Sequence, residues 1–268
     1  VLSDMMSYTF IVRAMIVGGL VALCSALLGV SLVLKRYSMI GDGLSHVAFA
    51  ALTIAVAMNV APLYISTPIV TVAAIILLRL SENSKIKGDS AIALISTVSI
   101  AIGVVVTALT KGMNTDVYSY MFGSILAMSE SDVYMSIALS VVVIILFVFF
   151  YNKIFAVTFD ESFAKATGTK ADAYNMIIAV LTAITIVVGM RIMGTMLISS
   201  LIIFPALISM RNFKTFKSVI ICSAIVSVVC FFLGIVLSYL YSIPTGASIV
   251  LVNTVALILS YLIGELRN

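Results

Sequence analysis

Residues 35–46 read Lys-Arg-Tyr-Ser-Met-Ile-Gly-Asp-Gly-Leu-Ser-His and lead from a basic connection directly into a long apolar run. They contain Asp42 and the single histidine of the chain, His46, four residues apart. On a helix this spacing places both side chains on one face. A carboxylate and an imidazole inside a membrane are costly and typically mark an ion path. The stretch therefore predicts a membrane protein that moves a metal ion.

The composition indicates an integral membrane protein. The 268 residues are 63% hydrophobic and 10% charged, with a mean hydropathy of +1.27, whereas a soluble domain is about half apolar and about a quarter charged. The apolar runs are continuous and long enough for helices to cross ~30 Å of hydrocarbon. We expect an all-α polytopic transmembrane bundle that forms one domain over residues 1–268. No cleavable signal peptide is expected, because the first apolar run is long and lacks a basic leader and a small-residue cleavage pattern.

Charge-free runs predict about nine spans, with an uncertainty of one. The predicted spans are residues 14–34, 43–59, 61–78, 90–110, 133–151, 173–190, 192–210, 218–241 and 246–264. Pro62 and Pro244 mark the turns that divide two overlong apolar stretches. Gly18, Ala22 and Ala26 form a small-residue stripe in the first span, for which we expect tight packing within the chain rather than a dimer seam.

The distribution of lysine and arginine predicts the orientation. If Lys35 is cytoplasmic, the same side receives all of the 15 basic residues except Arg13, Lys111 and Arg191. The N-terminus is then outside and the C-terminus cytoplasmic, in the cell membrane. The net charge of +4 is explained by this topology, and no nucleic-acid partner is expected.

Two segments between the spans have a separate character. Residues 116–128 are apolar but too short to cross, which favours a re-entrant or interfacial helix at the outer face. Residues 152–172 form the longest cytoplasmic loop. In it Asp160 and Glu161 suit the first turn of a short helix, and Gly168 suits its end. This helix is either a solvated connector or a docking element for a cytoplasmic partner.

Five segments resemble the permease subunit of metal-ion ABC importers, the zinc and manganese uptake family, and the resemblance runs along nearly the whole chain. They are LKRYSMIGDGLSHVA (34–48), YMFGSIL (120–126), FDESFAKATG (159–168), GTMLISSLIIFPA (194–206) and PTGASIVL (244–251). Each segment alone is a weak signal, but their combined order is specific.

The resemblance implies a vitamin B12/siderophore-type architecture, known as a type II ABC importer. Two permeases form the pore as a homodimer, two ABC ATPase subunits bind below, and an extracytoplasmic metal-binding protein delivers the ion. It also implies that residues 159–168 form the coupling helix on the ATPase. The residues assigned to that helix are Phe159, Asp160, Glu161, Phe163, Ala164, Lys165 and Gly168.

Asp42 and His46 are the candidate metal ligands, and the resemblance assigns them to the ion path. An imidazole and a carboxylate suit Zn²⁺, Mn²⁺ and Fe²⁺ equally. The glycines on either side of Asp42 suggest a broken helix that lines a cavity, and a helix running from Arg36 would place His46 about 15 Å deep. The alternative is a structural role, in which Asp42 caps a helix and His46 bonds to nearby backbone.

Three functions compete. The first is an importer permease for a divalent transition metal, with zinc slightly preferred over manganese as the transported ion and no permanently bound cofactor. The second is a secondary transporter or channel that needs no ATPase. The third, an intramembrane enzyme, has little support because there is one histidine and no paired catalytic motif. The chain contains no G-x-x-x-x-G-K-[ST] loop, so we expect ATP hydrolysis on a separate chain.

Overall fold

The computed structural model describes residues 8–83, 88–110 and 130–266, and in these ranges the chain forms helices joined by short turns. The helices are α1 (Thr9–Leu34), α2 (Ile40–Ala57), α3 (Pro62–Asn83), α4 (Gly88–Leu109), α5 (Glu130–Phe149), α6 (Tyr151–Phe159), α7 (Glu161–Ala166), α8 (Ala171–Met193), α9 (Thr195–Asn212), α10 (Phe216–Tyr241) and α11 (Thr245–Leu266). The predicted all-α class is confirmed over this part of the chain. The segment predicted to be re-entrant, residues 116–128, lies outside the described residues.

Eight of these helices are long and apolar enough to cross a membrane, namely α1 to α5, α8, α10 and α11. The ninth predicted span corresponds to α9, whose apolar part, Leu197–Asn212, is shorter. The prediction began this span at residue 192. Helix α8 instead continues to Met193, and Gly194, with a φ of +80°, then interrupts the helix. The left-handed backbone of a glycine ends a helix at little steric cost, so the boundary follows Gly194 rather than the charge of Arg191.

Three helices end in the same way, with a residue other than glycine in the left-handed region. Arg36, Asn59 and Ser242 have φ values of 61°, 53° and 52° and follow α1, α2 and α10. At α1 the amide of Tyr37 donates to the carbonyl of Leu32 over 2.8 Å, the bond that closes a Schellman motif. The turns predicted near Pro62 and Pro244 are confirmed at the second and third of these ends.

Helices α1 and α8 occupy the centre of the bundle. Helix α1 packs against α5, α8, α9 and α10, and α8 packs against α2, α3 and α5. Helices α4 and α11 are among the least buried spans and present rows of large apolar side chains to the surroundings, as a lipid-facing helix does. The core is therefore formed by the inner spans, with α2 held between α3, α4, α8 and α9.

The small-residue stripe of α1 packs within the chain, as predicted. The Ser227 hydroxyl on α10 donates to the carbonyl of Ala22 over 2.8 Å, and that of Ser223 donates to the carbonyl of Ala26. The Phe231 ring covers Gly18. Small residues let two helix backbones approach closely, and α1 and α10 use them for that purpose.

The two ends of the bundle differ in charge. Arg13 and Glu130 form an ion pair where α1 and α5 begin. At the other end, here called the basic end, lie residues that follow or precede the spans, including Lys35, Lys153, Lys165, Lys170, Arg211 and Lys214. Helices α6 and α7 lie at this end, so the predicted loop 152–172 contains two short helices rather than one.

Candidate functional site

Asp42 and His46 lie near the start of α2, at the basic end. Asp42 is in the first turn, and the Nε2 atom of His46 is 3.6 Å from the Oδ2 atom of Asp42. The predicted i,i+4 relation on one helix face is therefore confirmed as geometry. The distance suits an ion pair when the imidazole is protonated but exceeds that of a good hydrogen bond, so the pair is not locked together.

These two residues occupy the partly exposed positions of an otherwise buried stretch. All residues of α2 from Ile40 to Thr53 except these two are buried. The side chains of Asp42 and His46 are 43% and 23% exposed. Apolar spans bury ionisable groups only when these are paired or face water. The two ligand-type side chains thus share the partly exposed face of this stretch.

The glycines beside Asp42 allow close packing instead of breaking the helix. A Cβ atom at Gly41 would lie 3.0 Å from the Cδ1 atom of Ile202 on α9, and one at Gly43 would lie 2.7 Å from the Cγ2 atom of Ile92 on α4. The prediction of a broken helix is wrong, because α2 is continuous through both glycines. Gly41 therefore lies against α9, and Gly43 lies against α4.

The predicted start of the helix that carries His46 is also wrong. The helix begins at Ile40 and not at Arg36, whose left-handed backbone belongs to the turn. His46 therefore lies about 9 Å along α2, at ~1.5 Å per residue, and not about 15 Å along a helix that starts at Arg36.

The donor set that one chain offers is small. A carboxylate oxygen and an imidazole nitrogen both bind Zn²⁺ and Mn²⁺. Within the described ranges no group of three or more His, Cys, Asp or Glu side chains is placed to hold a metal ion. Two hydroxyls lie beside the flanking glycines: Ser199, whose Oγ is buried without a hydrogen-bond partner, and Ser96, which sequence reasoning did not single out.

The second candidate element is α7 at the basic end. The side chain of Asp160 caps it by accepting a hydrogen bond of 2.8 Å from the amide of Phe163, and Gly168 ends the turn that follows with a φ of 81°. Ala164 is buried against Val157 and Ala171, whereas the Phe163 ring is 65% exposed. An exposed aromatic ring on a well-capped short helix is a typical docking feature.

One residue assigned to this helix belongs to its neighbour. Phe159 is the last residue of α6, because Asp160 has an extended backbone with a φ of −146° that separates the two helices. Its ring is 59% exposed and packs edge-on against Phe216 of α10. Phe159 and Phe163 therefore lie on different helices at the same end of the bundle.

Charged and polar side chains surround Glu161 of α7. Lys35 lies 3.3 Å from its Oε2 atom, Asn175 donates to the same oxygen over 3.0 Å, and Lys165 lies 3.0 Å from Oε1. Lys165 also pairs with Asp172 over 2.9 Å. Desolvation would raise the pKa of Glu161, but the hydrogen bonds from Asn175 and Lys165 and the charge of Lys35 lower this pKa to about 2. Glu161 is ionised at neutral pH.

The predicted site residues thus form two separate groups. Asp42 and His46 come together on α2, and the residues from Asp160 to Gly168 come together around α7. The turn at residues 35–39 lies between the groups, since Lys35 contacts Glu161 and α2 starts at Ile40.

Comparison with known proteins gives a consistent result. The chain is 28% identical to the high-affinity zinc uptake system membrane protein ZnuB of Haemophilus influenzae, over 92% of this chain and 95% of that protein. It is 26% identical to the manganese transport system membrane protein MntC of Halalkalibacterium halodurans, over 96% of this chain and 88% of that protein.

A solved structure shares the fold over almost its full length. It is PsaBC from Streptococcus pneumoniae in complex with Fab, with a TM-score of 0.87 and 26% identity, over 97% of this chain and 94% of that chain. Residues 7–264 match the ABC 3 transport family. Because the match covers nearly the whole sequence, the resemblance to metal-ion ABC permeases is confirmed, and this chain belongs to the ABC 3 transport family.

Proposed function

We propose that this chain is the membrane-spanning permease of an ATP-driven importer for a divalent transition metal, zinc or manganese. The observation that carries the proposal is the placement of Asp42 and His46 at the partly exposed positions of the stretch Ile40 to Thr53. Ionisable residues in a span are retained for ion or proton pathways, and these two are metal-ligand types. The metal is the cargo and not a resident cofactor.

The pair supplies half of a site. Zn²⁺ takes four ligands in most protein sites, and one chain offers a carboxylate and an imidazole. A second copy of the permease, related by a two-fold axis, would add the same two side chains. A site completed between two copies also releases its ion easily when the copies move apart, as transport requires.

Helix α7 is the proposed contact with a cytoplasmic ABC ATPase. The exposed ring of Phe163 and the neighbouring ring of Phe159 offer an apolar anchor, and the charges around Glu161 offer a polar rim. This assignment places the basic end in the cytoplasm, in agreement with the positive-inside rule. An extracytoplasmic binding protein would then deliver the ion at the end that carries Arg13 and Glu130.

The donor atoms do not rank the two metals. Carboxylate and imidazole both suit zinc and manganese, and the named relatives include a zinc system and a manganese system. The preference for zinc therefore remains a prediction that rests on the sequence, and uptake decides it.

The test is uptake of radiolabelled zinc and manganese in cells that lack their own importers. The permease is co-expressed with its ATPase and binding protein, as wild type, Asp42→Asn and His46→Gln. We expect uptake of one metal, and a fall of more than about 100-fold in both variants, since even indirect partners of metal ligands contribute about 10- to 100-fold. Asp89→Asn is the matched control, because Asp89 is an exposed acid in the first turn of α4 at the same end.

Normal uptake by both variants would show that Asp42 and His46 are structural. Uptake that persists without the ATPase would show that the protein is a secondary carrier and not part of an ATP-driven importer.

A further inference from the structure

A partly buried polar cluster joins α7 to the end of the first span. We call it the tether and define it as Lys35, Glu161 and Asn175. The ammonium group of Lys35 donates to the Oδ1 atom of Asn175 and lies 3.3 Å from the Oε2 atom of Glu161, which also accepts from Asn175. The three side chains come from the end of α1, the start of α7 and the second turn of α8.

The tether is more buried than the other ion pair at α7, which joins Lys165 to Asp172 of α8. The side chain of Lys35 is 10% exposed and that of Glu161 is 34% exposed, and Asn175 is buried. Lys165, in contrast, is 50% exposed, and its partner Asp172 is 76% exposed. Because water screens the attraction between charges, the charges of the tether are less screened than those of Lys165 and Asp172.

The position of Lys35 connects the tether to the candidate ion path. Lys35 is the last residue before the left-handed turn at Arg36. The amide of Tyr37 bonds to Leu32, and that of Ile40 bonds to Tyr37. This compact turn leads straight into the first turn of α2, which contains Asp42. A movement of α7 therefore acts on the start of α2 through a few hydrogen-bonded residues.

We propose that Lys35 is a positioning residue that couples movement of α7 to the helix carrying Asp42 and His46, by its contacts with Glu161 and Asn175. The proposal rests on the proposed function, because it takes α7 as the element that an ATPase moves. The apolar contacts of α7 through Ala164 reach α6 and α8, whereas the tether reaches α1. Without it, α7 can still dock on an ATPase but passes less of that movement to the ion path.

The experiment measures metal taken up per ATP hydrolysed in proteoliposomes that contain the permease, its ATPase and its binding protein. Lys35→Met removes the charge and keeps the length of the side chain, and Glu161→Gln removes the opposite charge. We expect each variant to assemble and hydrolyse ATP. The ratio of metal taken up to ATP hydrolysed should fall about five-fold, which is the low end of the effect that a typical coupling energy produces. In the double variant this ratio should be no lower than in the single variants, since both substitutions remove the same contact.

Two further variants separate positioning from general stability. Lys35→Arg keeps the positive charge and should retain more of the ratio than Lys35→Met. Lys170→Gln removes an exposed positive charge at the same end that belongs neither to the tether nor to α7, and it should leave the ratio unchanged.

Each result has a distinct meaning. An unchanged ratio in Lys35→Met and Glu161→Gln, or an equal loss in Lys170→Gln, would overturn the tether and leave the proposed function intact. A wild-type complex that hydrolyses ATP but moves neither metal would contradict the proposed function, and the tether with it.

Discussion

At the scale of single residues, Gly29 sets the distance between α1 and α9. A Cβ atom at this position of α1 would lie 3.0 Å from the carbonyl carbon of Ile202 on α9, and closer still to its oxygen. The obstacle is backbone, which cannot rotate away as a side chain can. Gly19 on the same helix is different, because its Cβ would meet the Phe232 ring at 3.4 Å, an ordinary contact.

We therefore predict different effects on stability for the same substitution at two positions of α1. Gly29→Ala should force α1 and α9 apart and lower the free energy of unfolding by about 1–3 kcal/mol, the usual cost of overpacking. Gly19→Ala should be neutral or stabilising by up to ~1 kcal/mol, because alanine favours helix over glycine. Thermal unfolding of the purified permease in detergent checks both. Equal stability of the two variants would show that α9 adjusts to the added methyl group.

The candidate metal site shows how far residue types lead. The four-residue spacing of Asp42 and His46 predicted their shared face, since helix periodicity is a local property. The selective exposure of the two side chains could not be predicted, because it depends on how α4 and α9 cover the rest of α2. The role of the glycines was misjudged for the same reason, as the contacts with Ile202 and Ile92 come from distant parts of the chain.

At the scale of elements, helix ends were predictable where local chemistry defines them. Proline at 62 and 244 marked two turns correctly, because proline is common at or near the start of a helix. The division between α6 and α7 was missed, since it depends on the backbone of the single residue Asp160. Composition detects apolar content, whereas a helix ends where its backbone leaves helical geometry.

The end of α10 gives a prediction at this scale. Ser242 has a φ of 52°, and the amide of Ile243 bonds back to the carbonyl of Ser238 over 3.2 Å. The left-handed region costs an ordinary residue ~1–2 kcal/mol, which glycine avoids. Ser242→Gly should raise the free energy of unfolding by about 1 kcal/mol, and Ser242→Val should lower it because a β-branched residue fits this region poorly.

The measurement is again thermal unfolding in detergent. Ser242→Ala is the control that removes the hydroxyl and keeps the Cβ atom. A glycine variant less stable than the alanine variant would refute the argument from backbone geometry.

At the scale of the whole molecule, contacts between residues far apart in the sequence determine features that local sequence patterns do not predict. Lys35 is 126 residues from Glu161 and 140 from Asn175 along the chain, so no local pattern joins them. The charge pattern, in contrast, is a property of the entire sequence. All but Arg13, Lys111 and Arg191 of the 15 basic residues are predicted on one side, and the contact of Arg13 with Glu130 lies at the opposite end from Lys35.

This asymmetry predicts the orientation in the cell membrane, with the basic end in the cytoplasm. Single cysteines at Lys170, exposed at the basic end, and at Tyr64, exposed where α3 begins at the other end, report the two sides. Both are introduced into a chain whose three native cysteines are replaced by serine. A membrane-impermeant maleimide added to intact cells should label Tyr64→Cys at once, and Lys170→Cys only after permeabilisation.

The reverse labelling pattern would have consequences beyond topology. It would place α7 outside the cell, where no ATPase can reach Phe163, and the tether would lose its proposed driving partner. It would also put Asp42 and His46 within about 9 Å of helix from the outer surface rather than from the cytoplasm. The orientation measurement thus tests the importer mechanism with no metal and no ATP, because an ATP-driven mechanism requires the basic end, α7 and the start of α2 to share the cytoplasmic side.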